Sequence, residues 1–197
     1  MIRFAVGLAL CASGLLALSA CGSGELSPAA SSKPTGVSAK TYRIGPYTVV
    51  FATPLPADIA QAGVVEGFRQ AQVVWDRSEY AWRMPANVRR YVTGHALVNL
   101  VDAVAASRKD HLIPAGTDRL FLTRVTRIRG GTATITTCDD ASKFHEEDVH
   151  TGAESTQPPA QAYLFEIWQM VKHSGRWAIA AFSYALRPSP RAAPCQP

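Results

Sequence analysis

The spacing of apolar residues changes once along this chain, and the change limits the folds that it can adopt. Between residues 58 and 107 apolar side chains recur every three or four positions, as in amphipathic helices, and Pro85 and Gly94 divide this part into three helices. From Arg119 onward apolar and polar residues alternate, as in strands that bury one face. The predicted strands cover 47–52, 119–128, 132–138, 163–171 and 177–186, with hairpin turns at Gly130, Gly131, Ser174 and Gly175. This order predicts an α+β fold with about three N-terminal helices on one face of an antiparallel sheet of four or more strands.

A polar segment, 139–160, separates the two predicted hairpins and is rich in ionisable side chains. Its histidines, His145 and His150, are five positions apart, whereas the helical zinc-protease motif needs a spacing of four. A looser metal site would combine these histidines with Cys138 and Asp139. We favour a solvent-exposed loop that binds no metal, in which Asp139 and Asp140 form a turn.

The first 20 residues have the order of a signal peptide, with Arg3 followed by an apolar run over 4–18. This run is shorter than the roughly 20 residues that a membrane-spanning helix needs. The residues at positions 18–21, Leu-Ser-Ala-Cys, resemble the bacterial lipobox, which implies cleavage before Cys21 and lipidation of its thiol. An ordinary signal peptide followed by a chance cysteine is the alternative. We therefore expect a protein at the extracytoplasmic face of the cell membrane, with the bilayer as its partner through acyl chains on Cys21.

The cysteines and the composition divide the chain further. Cys11 lies in the signal peptide and Cys21 takes the lipid, so Cys138 and Cys195 remain in an oxidising compartment and predict a disulfide. The expected segments are a lipoprotein signal peptide over 1–20, a flexible lipidated tether over 21–45, a globular domain over 46–187 and a Pro-rich tail over 188–197 that the disulfide holds to the domain.

The order of helices and strands resembles the nuclear transport factor 2-like superfamily, which includes ketosteroid isomerases, SnoaL-like polyketide cyclases and scytalone dehydratase. Three short stretches, 91–97, 138–142 and 175–177, are similar to exported actinobacterial lipoproteins of that fold. The resemblance covers about residues 55–187. It implies a curved, cone-shaped arrangement in which a ligand binds between the sheet and the helices.

In the enzymes of that superfamily, ionisable side chains inside the cone perform acid–base chemistry. The resemblance makes Asp76, Tyr80, His95 and Glu166 candidates for that role, with Glu166 and His95 as the catalytic pair to test. Burial would raise the pKa of Glu166 and suit it as a general base, but periodicity leaves open whether its face lines the cone or solvent. No second group is tied to either residue by spacing. We therefore predict that no two of Asp76, His95, Asp139 and Glu166 meet in one buried pocket, and that Glu166→Gln leaves ligand retention unchanged.

Composition and motifs exclude several classes of function. The chain has 20 basic and 15 acidic residues, but no basic run exceeds two residues, so we expect no nucleic-acid partner. It has no phosphate-binding glycine loop and no dinucleotide fingerprint, so we expect no cofactor. We favour a non-catalytic lipoprotein that binds a small apolar molecule or an envelope protein. The alternatives are an isomerase, dehydratase or cyclase that uses a buried carboxylate or histidine, and a structural accessory of an envelope machine.

Overall fold

Two α-helices, α1 (Ile59–Tyr80) and α2 (Gly94–Asp110), are present in the computed structural model, which describes residues 39–156, 162–185 and 195. The Asp58 carboxylate caps α1 by accepting a hydrogen bond from the backbone N–H of Gln61 at 2.8 Å. Helix α1 buries an apolar face that includes Val64, Phe68, Ala71 and Trp75, as the spacing predicts. Neither described helix is long and apolar enough to cross a membrane.

The prediction of a separate helix between Pro85 and Gly94, the second of the three, is wrong. This segment forms a single 3-10 turn, Val88–Arg90, and the chain then turns toward the sheet. The backbone N–H of Thr93 donates to the carbonyl of Ile179, and the N–H of Ile179 donates to the carbonyl of Tyr91, both at 2.8 Å. These backbone groups are used in bonds to a distant strand, so they are not available for a helix.

Among the described residues the sheet has seven strands, one pair of which is parallel. They are β1 (Lys40–Ile44), β2 (Tyr47–Phe51), β3 (Leu112–Arg129), β4 (Thr132–Asp148), β5 (Glu154–Thr156), β6 (Tyr163–His173) and β7 (Arg176–Ala185). Their order is β1-β2-β3-β4-β6-β7, with β5 paired to β4, and β2 and β3 pair in parallel whereas the other neighbours are antiparallel. The predicted fold class of three helices on a four-stranded antiparallel sheet is therefore wrong, although the mixed α+β arrangement is consistent with an NTF2-like cone.

The tether predicted over 21–45 is wrong at its C-terminal end, where Lys40–Ile44 form β1 and pair with β2. The sequence analysis did not predict the short hairpin that β1 and β2 form, because β1 carries polar and basic residues that are typical of a linker. The signal peptide, Cys21, the tether up to position 38 and the tail over 188–197 apart from Cys195 lie outside the described residues.

The predicted polar loop over 139–160 is also wrong, because β4 continues through it to Asp148. Asp139 lies opposite Leu120 of β3 and opposite Leu164 of β6, so its backbone pairs on both sides. Asp139 and Asp140 therefore form no turn. A continuous ladder on both edges satisfies the backbone there, and polar side chains do not prevent strand formation under that condition.

The predicted disulfide is present between Cys138 and Cys195, whose α-carbons lie 5.2 Å apart. Both cysteines are buried. Successive strand residues point to opposite faces, so Cys138 lies on the opposite face of β4 from Asp139.

The inner face of the sheet, which packs against the helices, changes in character along its strands. At one end Ala133 and Ile135 of β4 lie beside Met170 and Trp168 of β6, and all four side chains are buried in the apolar core. The next inward positions are Thr137 and Asp139 in β4 and Glu166 in β6. The same buried face is thus apolar at one end and acidic at the other.

Candidate functional site

Five carboxyl side chains lie close enough to influence one another's charge at the acidic end of this inner face. We define the carboxyl cluster as Asp76 and Glu79 of α1, Asp118 of β3, Asp139 of β4 and Glu166 of β6. Asp76, Asp139 and Glu166 are 5%, 7% and 9% exposed, and Asp118 and Glu79 are half-buried. The cluster therefore brings one helix and three strands together around acidic groups.

The register of the strands explains why the side chains of Asp118, Asp139 and Glu166 lie near one another. Glu166 lies directly across from Thr137, two positions before Asp139 on the same face of β4. Asp118 lies at a shift in register between Thr117 and Arg119. A bulge of this kind changes the direction of a side chain relative to a regular strand.

Helix α1 supplies the other two members from consecutive turns. Asp76 and Glu79 are three positions apart, so they lie on neighbouring parts of one helix face. One turn earlier, Gln72 Nε2 donates to Asp76 Oδ1 at 3.2 Å. Helix α1 therefore carries two acidic groups of the cluster and also Gln72, which donates a hydrogen bond to one of them.

Few hydrogen-bond donors reach the cluster. Tyr47 Oη donates to Asp118 Oδ2 at 2.9 Å, and Trp168 Nε1 donates to Glu166 Oε2 at 3.0 Å. Asp76 Oδ2, Asp118 Oδ1 and Asp139 Oδ1 are buried and accept no hydrogen bond from the part of the chain that is described. Within that part, the ion pairs involve Glu66 and Glu154 only, so no Lys or Arg neutralises a member of the cluster.

Burial without a neighbouring cation raises the pKa of every carboxyl group in the cluster. Loss of solvation is the largest cause in each case, and repulsion from the other acidic groups adds to it. The pKa of Glu79, of Asp118 and of Glu166 rises to about 7 in each case, and the pKa values of Asp76 and Asp139 rise well above their usual range. The groups titrate as an interacting set, so near neutral pH the cluster keeps protons that surface carboxyls lose.

Aromatic side chains connect the cluster to the surface. Trp168 stacks on Phe182 with a centroid distance of 4.7 Å, and Trp75 meets the edge of Phe182 at 5.4 Å. Tyr184 lies directly across from Glu166 in the sheet and is 44% exposed. We define the aromatic wall as Trp75, Trp168, Phe182 and Tyr184, which share the face of the sheet that carries Glu166 or pack against it.

Of the four ionisable candidates, Asp76, Asp139 and Glu166 are buried and lie close enough to raise one another's pKa, which the sequence analysis did not expect. The structure also answers the open question about Glu166, whose side chain lies on the inner face. His95 lies elsewhere, exposed in the first turn of α2, and Tyr80 is 36% exposed at the end of α1. The convergence was missed because Asp139 was assigned to a loop.

The sequence analysis did not identify three contributors, Glu79, Asp118 and Tyr47. Glu79 could have been predicted from the sequence, since it follows the candidate Asp76 by about one helical turn and so lies on a neighbouring part of the same helix face. Asp118 had none, because Pro114 and Gly116 hide the strand that carries it. Tyr47 is close to Asp118 only through the parallel pairing of β2 with β3.

The described residues contain no group of three His, Cys, Asp or Glu side chains arranged to hold a metal ion. Of the looser metal set considered from the sequence, Cys138 is bonded to Cys195 and faces away from Asp139. His145 lies 3.7 Å from Glu154, and His150 packs its ring against His111 with a centroid distance of 4.5 Å. These four side chains therefore point to different surroundings.

No protein-family model matches the sequence, and no curated protein matches it significantly. Solved structures with a related arrangement include an ntf2-like protein with a cystatin-like fold from Novosphingobium aromaticivorans, at 16% identity and a TM-score of 0.43 over 72% of this chain and 98% of that one. Aln2 from Streptomyces aligns at 16% identity and a TM-score of 0.44, over 67% of this chain and 93% of its own. A ketosteroid isomerase-like protein from Erwinia carotovora atroseptica aligns at 12% identity and a TM-score of 0.40, over 63% and 96%. These neighbours are NTF2-like and ketosteroid isomerase-like proteins of low identity, and we draw nothing about activity from them.

Proposed function

We propose that this chain is an exported lipoprotein, anchored through Cys21 at the extracytoplasmic face of the cell membrane, whose domain binds a small molecule at the carboxyl cluster. The support for export is the signal-like N-terminus, the resemblance of positions 18–21 to a lipobox and the Cys138–Cys195 disulfide, a bond typical of oxidising compartments. The support for binding comes from the cluster itself.

One observation carries the binding proposal: three buried carboxyl oxygens, on Asp76, Asp118 and Asp139, accept no hydrogen bond from the described residues. Each such atom costs about 1–3 kcal/mol of folding free energy. A core selected for stability alone would replace these groups by apolar residues. Buried ionisable groups with shifted pKa values are typical of binding and catalytic sites, where a ligand supplies the missing partners.

The geometry also indicates the chemistry of the ligand. Its apolar part would contact Phe182 and Tyr184, the accessible portion of the aromatic wall. A hydroxyl or amine donor on the same molecule would then reach Glu166. Pockets that combine an apolar lining with a few polar groups usually bind ligands of this mixed character.

A second candidate, an isomerase, dehydratase or cyclase, has one specific observation in its favour. The pKa of Glu166 rises to about 7, and a general base works best when its pKa lies near the operating pH. Glu166 would then remove a proton from an apolar substrate held on the aromatic wall. A protonated carboxyl group of the cluster would donate a proton back to another atom of the substrate. Glu166 is common to both candidates, so one set of variants tests them together.

Native mass spectrometry of the protein purified from its own host tests binding. We expect a retained small molecule in the wild type and its loss in Glu166→Gln, which keeps the shape of the side chain but removes its ionisation. This reverses the expectation from sequence alone, because Glu166 is buried within the cluster. Glu147→Gln, on β4 but outside the cluster, is the matched control. Retention of the same molecule by Glu166→Gln would contradict the proposal, and conversion of that molecule by the wild type only would favour the enzyme.

A further inference from the structure

A groove on another part of the domain shares no residue with the carboxyl cluster. It is a groove of about 630 Å³ between the segment after α1 and the C-terminal half of α2. We define the basic groove by an apolar floor of Trp82, Val101 and Val104 and a charged rim of Arg83, Arg108 and Lys109. Its volume lies in the range of about 300–1,000 Å³ that is usual for small-molecule sites.

Two residues that line the basic groove, Trp82 and His111, have a backbone conformation that residues other than glycine rarely adopt. Trp82 follows α1 with φ at 52°, and His111 ends α2 with φ at 57°. Glycine is the usual residue in this left-handed conformation, because a Cβ atom destabilises it. Both positions instead carry rings, which contact each other with a centroid distance of 6.1 Å. Trp82 is fixed further, since its Nε1 donates to the carbonyl of Leu112 at 2.7 Å.

The rim carries positive charge that the protein does not neutralise. Arg83, Arg108 and Lys109 are exposed, and in the portion of the chain that is described none of them forms an ion pair. Asp110 is the acidic residue nearest to them in sequence, and it is exposed and forms no ion pair with them either. Guanidinium and ammonium groups beside an apolar floor complement a ligand with an anionic head and an apolar body.

We propose that the basic groove binds a monomeric amphiphile that has one carboxylate or phosphate head group and one alkyl chain. The head group contacts Arg108 and Lys109, and the chain lies along Trp82 and Val101. A flat bilayer fits this site less well, because the floor residue Val104 is only 8% exposed and lies below the rim. The inference is independent of ligand binding at the carboxyl cluster.

Photocrosslinking tests the proposal on the full chain in membranes of its host. The probes are dodecanoate and dodecanol, each carrying a diazirine on its chain, and a diazirine-labelled phosphatidylglycerol. After irradiation, labelled peptides are mapped by mass spectrometry. We expect dodecanoate to label residues 82–84 and 101–111, and dodecanol to label them about tenfold less, because it lacks the charge that the rim recognises.

The matched variants separate the groove from general surface charge. Arg108→Gln combined with Lys109→Gln should lower dodecanoate labelling about tenfold, and Arg83→Gln should lower it to a smaller extent. Arg89→Gln combined with Arg90→Gln removes an equal charge from the exposed 3-10 turn outside the groove and should leave labelling unchanged. Thermal melting of each variant shows whether it is folded.

Three outcomes would overturn the proposal. Equal labelling by dodecanol would show that the charged rim has no role. Labelling of the groove by the phosphatidylglycerol probe alone would identify bilayer docking instead of a bound monomer. Equal loss of labelling in the Arg89 and Arg90 variant would show attraction by net charge without a defined site.

Discussion

At the residue scale, Glu166 is one of the five carboxyl groups that make the stability of the domain depend on pH. Its pKa in the folded protein is about 7, above the usual value of 4.5, because it is buried next to other acidic groups. The folded state therefore binds more protons than the unfolded state at pH values between these two numbers. The stabilising contribution is complete at low pH and is lost as the pH rises through about 7.

We accordingly expect the free energy of unfolding to fall between pH 5 and pH 9, and Glu166→Gln to reduce that fall. At pH 3 the variant should match the wild type, since Glu166 is then neutral in both the folded and the unfolded state. At pH 9 it should be more stable by roughly 3 kcal/mol, the free energy that corresponds to the shift in the pKa of Glu166. Urea denaturation at several pH values measures both effects. A wild type that becomes more stable with rising pH would contradict the buried cluster.

Tyr47 is the residue whose substitution should show how much unsatisfied carboxyl oxygens in the cluster lower the free energy of unfolding. Its hydroxyl donates to Asp118 Oδ2, while Asp118 Oδ1 accepts no hydrogen bond from the described residues. We expect Tyr47→Phe to lower the free energy of unfolding by about 1–3 kcal/mol at pH 7, because it leaves a second oxygen of Asp118 without a donor. Tyr80→Phe, at a more exposed tyrosine, is the control and should change stability little. Equal effects of the two substitutions would mean that the hydroxyl of Tyr47 is not needed.

At the scale of elements, the distance between α1 and β7 depends on one glycine. A Cβ atom added at Gly67 would lie 2.5 Å from the Cβ atom of Trp177 and 3.1 Å from its carbonyl oxygen. Gly63, one turn earlier in the same helix, has nothing within 4 Å of that position. Helix α1 therefore needs glycine at position 67 and tolerates alanine at position 63.

We expect Gly67→Ala to destabilise the domain by about 1–3 kcal/mol, since the helix must move away from Trp177. Gly63→Ala should stabilise it by about 0.5–1 kcal/mol, because alanine favours the helix and meets no neighbour. Thermal or urea denaturation of the two variants provides the measurement. Stabilisation by both substitutions would show that α1 lies farther from β7 than described.

Elements whose bonds are local were predictable from sequence, and elements that depend on distant partners were not. Helix α1 and the hairpin at Gly130 follow from spacing and turn residues. The segment around Val92 has a helical pattern, but a bridge to Ile179 decides its structure. Residues 139–148 appear loop-like because they are polar, yet pairing with β3 as far as Asp148 makes them a strand, and β6 and β5 pair with parts of the other edge.

At the scale of the whole molecule, the carboxyl cluster combines residues from four separate segments of the chain. No local sequence motif therefore predicts it. Asp76 lies on a helix, and Asp118, Asp139 and Glu166 lie on three different strands. The sequence identified Glu166 as a candidate and suggested that burial would raise its pKa. Its acidic neighbours became recognisable only when the register of β3, β4 and β6 was known.

The proposed lipid anchor would decide where the whole molecule resides, and Cys21→Ser tests it. Only a thiol accepts the thioether lipid, so the variant should lack lipid and should no longer be cleaved before position 21. Metabolic labelling with an alkyne fatty acid, followed by membrane fractionation, measures both effects. Cys195→Ser is the control, since it removes a cysteine of the disulfide but leaves the lipobox-like residues intact. Label that persists on Cys21→Ser would contradict the anchor.

The parallel pairing of β2 with β3 has a consequence for how the chain folds during its synthesis. Tyr47 pairs with Gly116, so both helices must emerge before the first hairpin finds its neighbour. Contacts between residues so distant in sequence form slowly, because the intervening loop must close first. Until then one edge of β2 has free backbone groups, which other nascent chains can pair with. The earliest part of the domain to leave the ribosome is therefore the part that waits longest for its partner strand and most needs a chaperone.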